Sequence, residues 1–189
     1  RIHHMDKAST TKRRSRRLDA GLLRWILCLL PIIAATGAGQ AAGADRDLHR
    51  YWDSRCKDCH GDAGAFARST LHVQDGRLLG AHHEQNLDLF LQHHYLTAEL
   101  VAPVQRMLAA QVATPPLFAQ HCSACHTNAA EFARKSLTLR GDVPVGLRSG
   151  RPVAEYLQSH GGLAPDQIPT LVESLKRVLR ETRPGRDGG

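Results

Sequence analysis

Two segments of this chain combine thiols and imidazole at a spacing that can do chemistry: Cys56-Lys57-Asp58-Cys59-His60 and Cys122-Ser123-Ala124-Cys125-His126. Two thiols one helical turn apart can add to the two vinyl groups of a single porphyrin. A His directly after the second thiol can then turn beneath the ring and ligate its iron. C-x-x-C-H is the attachment pattern of c-type haem. A thioredoxin-like redox pair and a four-cysteine zinc ribbon use the same C-x-x-C element, but neither requires a His after each pair. The two copies predict two covalently bound c-type haems. Cys56, Cys59, Cys122 and Cys125 would carry the thioether links, and His60 and His126 would be the proximal iron ligands.

The chain offers few choices for the distal side. Its two methionines are Met5 and Met107, so His/Met ligation can serve one haem at most. His94 and His160 each lie 34 residues beyond their proximal partners, and neutral imidazole is a good iron ligand. They are the expected distal ligands, with His93 and Met107 as alternatives to His94. His121 adjoins Cys122 and is expected to point along the motif helix, away from the distal side. His49, His72, His82 and His83 have no counterpart in the second half of the chain. They read as solvated, with His49 or His72 able to serve the other haem.

These residues recur because the segments around them recur. A shift of 66 residues aligns 51–110 with 117–176 without gaps and gives 14 identities in 60 pairs. Phe66-Ala67-Arg68 matches Phe132-Ala133-Arg134, and Leu91-Gln92 matches Leu157-Gln158. The pattern predicts an internal repeat, with a one-residue insertion after His160 improving the last helix's register. Each unit should hold a motif helix (Tyr51 to His60, Leu117 to His126), a small helix around Phe-Ala-Arg, a turn-rich loop, and a helix running to His94 or His160. Ile168, Leu171, Val172, Leu175 and Leu179 form an apolar stripe at helical spacing, with Asp166 as start signal and Pro184-Gly185 as stop. No strand-like alternation persists, so the expected fold is all-α. A unit of this size is below the roughly 70–80 residues at which a bare core suffices; a buried porphyrin would complete it.

Charge and the N-terminus place the protein. The chain carries 25 basic and 18 acidic side chains, a formal charge of +7. Eight of the basic residues fall in 1–44, leaving 45–189 at +1, which removes the nucleic-acid reading. Lys12-Arg13-Arg14-Ser15-Arg16-Arg17, the short apolar run Trp25 to Ala35 and Ala42-Gly43-Ala44 form the three parts of an export signal. The apolar run is short for a membrane span of about 20 residues, and Pro31 interrupts it. We expect cleavage after Ala44, the alternative being a retained anchor, and a periplasmic protein with no membrane span. Cys28 leaves with the signal. The predicted organisation is 1–44 signal, 45–112 first haem lobe, 113–183 second haem lobe and 184–189 disordered tail. Arg68 and Arg134 are candidates for pairing with haem propionates, against an ordinary surface role. Lys135, Arg140, Arg148 and Arg151 make the second lobe locally basic, as a docking face for an acidic redox partner or a merely solvated face.

Both haem motifs, the aromatic Trp52 and Phe118 four residues before each, and the terminal amphipathic helix make residues 50–180 resemble dihaem c-type cytochromes built from two class I-like lobes. Two departures stand out. Class I cytochromes usually carry Gly eight residues before the first Cys, where this chain has Leu48 and Thr114, and they usually use a distal Met. Leu157-Gln158-Ser159-His160-Gly161 is similar to the distal-histidine segment of some bis-histidine dihaem cytochromes. The resemblance implies two tandem lobes with six-coordinate irons, carrying electrons between a protein donor and a protein acceptor. Two alternatives remain: a small haem oxidoreductase or gas-binding protein with one open five-coordinate iron, and a subunit docked on a larger dehydrogenase. No phosphate loop, G-x-S-x-G or H-E-x-x-H is present, so no catalytic residues are assigned.

Overall fold

Asx residues open three of the helices. In the computed structural model, which describes residues 46–81 and 87–183, the Asp47 carboxylate accepts from the Arg50 amide at 2.9 Å and starts α1 (Leu48–Arg55). Asp62 caps α3 (Ala63–Thr70) through the Ala65 amide, and Asn128 caps α7 (Ala129–Ser136) through the Glu131 amide. Such side chains satisfy amides that a helix start leaves without partners. The expected signal 1–44, His82, His83 and the tail 184–189 lie outside the described residues. All described residues belong to one compact unit, Gly39–Gly189.

Between α1 and α3 sits the short α2 (Lys57–His60); after α3 come β1 (Leu71–Gln74), β2 (Arg77–Gly80), α4 (Leu87–Gln92) and α5 (Ala98–Ala113). The second half runs α6 (Leu117–His121), α7, β3 (Leu137–Arg140), β4 (Val143–Gly146), α8 (Val153–Leu157) and α9 (Gln167–Thr182). α3 and α7, β1 and β3, β2 and β4, and α4 and α8 each begin 66 residues apart. The long helices α5 and α9 begin 69 apart, two more than a single-residue insertion gives.

The all-α expectation needs correction. Helix accounts for 57% of the described residues, and 13% lie in strands. Two antiparallel hairpins, Leu71↔Gly80 to Gln74↔Arg77 and Leu137↔Gly146 to Arg140↔Val143, occupy the supposed turn-rich loops. Strands of four residues are too short to display alternation. Their turns were readable, however: Asp75-Gly76, with φ of +50° and +74°, is the positive-φ pair of a type I′ turn, and Gly141 at +58° opens the other hairpin. The helices before the expected distal histidines also stop early, at Gln92 and Leu157, leaving His94 and His160 in turns. The motif helices are broken too. The first changes direction at Cys56, and the second ends at His121.

Two separate apolar clusters form the core. One joins Trp52, Ala67, Leu100, Val104, Met107 and neighbours from 48–112; the other joins Leu117, Ala133, Leu171, Leu175 and Val178 within 117–179. The most deeply buried large side chains all lie on α5 and α9, so these helices are the keel of each half. On α9 the predicted stripe faces inward, with Leu171, Leu175 and Leu179 buried and Ile168 and Val172 packed at its margin. Polar ties join the halves where α1 meets α9. His49 Nε2 lies 2.7 Å from Glu181, which also accepts from Arg177 at 2.8 and 2.9 Å, and Asp47 lies 3.5 Å from Arg134. Among the described residues no helix is long and apolar enough to cross a membrane.

Candidate functional site

The two motifs are held by the same backbone bonds. The His60 amide donates to the Cys56 carbonyl at 2.9 Å and the Cys59 amide at 3.2 Å; His126 and Cys125 repeat both distances on Cys122. The Cys56 amide donates to Trp52 and the Cys122 amide to Phe118, each at 2.9 Å. Each motif is thus one helical turn, anchored to the aromatic residue one turn earlier. The Trp52 indole also donates to the Gly61 carbonyl at 2.9 Å, closing the loop behind His60.

Aromatic rings pack around His60 and His126. Phe66 lies 4.6 Å from His60, edge to face, and Phe132 lies 4.6 Å from His126, ring centre to ring centre. Trp52 and Phe118 stand behind them at 6.1 and 6.3 Å. In the first lobe the rings of His60 and His94 are 5.9 Å apart at 67°. Two metal–nitrogen bonds of about 2.0 Å plus the inner halves of two imidazoles span about 6 Å, the separation of these ring centres. His93 is exposed, and Met107 is wholly buried in the apolar cluster.

In the second lobe a cavity of about 470 Å³ is lined by Cys122, Cys125, His126 and His160 together with Phe118, Phe132, Leu137, Val153, Leu157 and Leu175. It has the size and apolar character of a cofactor pocket. The two thiols and the imidazoles of His126 and His160 in this lining match the donor set that a covalently attached iron porphyrin would require. His121 lines the same cavity. Burial pushes the Cys56 and Cys122 thiols above their ordinary range. None of the four motif cysteines is in a disulfide. Among the described residues no cluster of three or more His, Cys, Asp or Glu side chains converges on one point.

Sequence reasoning overlooked the residues that hold His94 and His160. Phe90 stacks on His94 at 4.7 Å and 20°, and Tyr156 packs on His160 at 4.5 Å. Both lie four residues before their histidine, a spacing that puts side chains on one face. Directly after each histidine the chain turns through positive φ, at Tyr95 (+64°) and Gly161 (+88°). The Tyr51 hydroxyl donates to the Tyr95 carbonyl at 2.5 Å and pins that turn to α1.

The remaining candidates fall elsewhere. Arg68 is exposed, with Nη1 3.3 Å from the Gln111 carbonyl. Arg134 is occupied between lobes by Asp47 and accepts at its carbonyl from Arg183. His49 is the cross-lobe partner of Glu181, and His72 is exposed on β1. Lys135 pairs with Glu131 at 2.5 Å. No family of proteins, no curated protein and no solved structure matches this chain.

Proposed function

We propose that this protein is an exported dihaem c-type cytochrome that carries electrons between protein partners. The observation that carries this reading is the second-lobe cavity, whose lining brings Cys122, Cys125, His126 and His160 together with apolar side chains. The parallel arrangement of Cys56, Cys59, His60 and His94, and the recurrence of elements at 66 residues, support two tandem class I-like lobes. The haem would supply a one-electron iron couple. The chain's contributions are distinct. Cysteines tether, the proximal cage fixes the orientation of His60 and His126, and the apolar walls lower the dielectric that sets the potential. His94 and His160 would close the distal positions, leaving no coordination site for substrate.

A second reading, one five-coordinate iron suited to gas or peroxide, is favoured by the exposure of His160 on its turn. Expression in a host with cytochrome c maturation tests both. The secreted product should gain the mass of two haems, and Cys122→Ala with Cys125→Ala should remove one. Electron paramagnetic resonance of the oxidised protein should be wholly low-spin, and the reduced protein should not bind carbon monoxide. His160→Ala should open one iron. Carbon monoxide binding by the wild type would select the second reading, and a product without haem would end both.

A further inference from the structure

The electron-carrier reading leaves open which face meets a partner, and the distribution of unpaired charge answers it. In the second lobe most carboxylates are committed: Glu131 to Lys135, Asp142 to Lys176 at 3.0 Å and to Arg180, Glu173 to Lys176 at 2.6 Å, and Glu181 to His49 and Arg177. Arg140, Arg148 and Arg151 have no ion-pair partner among the described residues, and all three are exposed. They also form one patch. The Arg140 guanidinium lies over the loop after β4, 3.2 Å from where a Cβ on Gly150 would sit, and Gly150 adopts φ +65°. Arg151 lines the mouth of the 470 Å³ cavity beside Tyr156. Leu147 and Tyr156 add exposed apolar surface at 50% and 47%.

The patch belongs to one lobe only. Sixty-six residues earlier stand Gln74, His82 and Gln85, none with a fixed charge. Three uncompensated guanidinium groups around an apolar centre suit carboxylates on a protein surface, since Arg binds carboxylate in a forked geometry, and charge complementarity of this kind steers encounter. We infer that the second lobe docks an acidic redox protein through Arg140, Arg148 and Arg151, making this cavity mouth the chain's port for that partner. The inference rests on the electron-carrier reading.

Two measurements on the haem-loaded protein test it. Oxidation of the reduced protein by hexacyanoferrate(III), a small anionic probe, should slow about tenfold at low ionic strength in the Arg148→Gln/Arg151→Gln variant. Arg77→Gln/Arg106→Gln, an equal change of net charge on exposed first-lobe residues, should leave that rate unchanged. Equal slowing in both variants, or in neither, would overturn the assignment. In the second arm, amide shifts on titration with a poly-glutamate peptide should cluster at 140–151 and vanish in the double variant. Binding instead to phosphatidylglycerol vesicles, lost in the same variant, would reassign the patch to a lipid surface and overturn the protein partner. The peptide arm needs no electron transfer, so absence of haem and absence of docking give different results.

Discussion

Met107 separates two accounts of the first lobe. It is one of two methionines in the chain, and a methionine is what a class I-like iron would ordinarily take on its distal side. The structure puts it at 0% exposure on α5, in the cluster with Trp52, Ala67, Leu100, Val104 and Leu108, while His94 lies 5.9 Å from His60. If Met107 is packing alone, its side chain should behave like any buried aliphatic. Full burial is worth about 1.5–3 kcal/mol, and truncation leaves a cavity on a helix held by neighbours on both sides. Met107→Ala should therefore cost about 3 kcal/mol, lowering the thermal midpoint by about 10 °C. Met107→Leu keeps the volume and should cost under about 1.5 kcal/mol. The assay pairs urea or thermal unfolding with absorption and paramagnetic resonance spectra of the oxidised protein. Both variants should keep two low-spin irons. A Met107→Leu protein with near-normal stability but one high-spin, carbon monoxide-binding haem would refute the reasoning and make Met107 the ligand.

Glu181→Gln removes the carboxylate shared by His49 and Arg177 at the α1–α9 contact; it should cost about 2 kcal/mol, read as a lower urea midpoint at neutral pH. Gly161→Ala forces a side chain into φ +88° and should cost about 1 kcal/mol, while Gly141→Ala should weaken the second hairpin by a similar amount in the same unfolding assay. Asp142 has its carboxyl held below the ordinary range, first by the hydrogen bond from Lys176 and then by the charges of Lys176 and Arg180. Its stabilising contribution is therefore present above the ordinary carboxylate value of about 4 and is lost as pH falls through the lower folded value. The thermal midpoint of Asp142→Asn should lie below that of the wild type at pH 6 and converge with it on acidification.

What could be read before folding was whatever the chain encodes locally. The two C-x-x-C-H segments needed only their spacing, and the α9 stripe needed only period 3.6; both describe one element at a time. The hairpins were also local, and Asp75-Gly76 carried their signal, but four-residue strands gave no alternation to support it. Phe90 and Tyr156 were available at four residues before His94 and His160, a spacing already used for Trp52 and Phe118. The cross-lobe ties belong to another class. His49 and Glu181 are 132 positions apart, and no local pattern pairs them. Arg134, matched to Arg68 across the repeat, meets Asp47 instead of serving an equivalent role. Positions that match in sequence take different partners once one of them faces a neighbour.

The meeting of α1 with α9 also sets an order of assembly. Asp47 and His49 are among the first residues of the described fold, and Glu181 and Arg177 among the last. The first helix therefore keeps one flank open until α9 is in place. A product that stops short of Gln167 lacks both the keel of its second core and the cover for its first helix. A molecule cut before α9 would therefore expose its leading helix, and one that retains α9 would not.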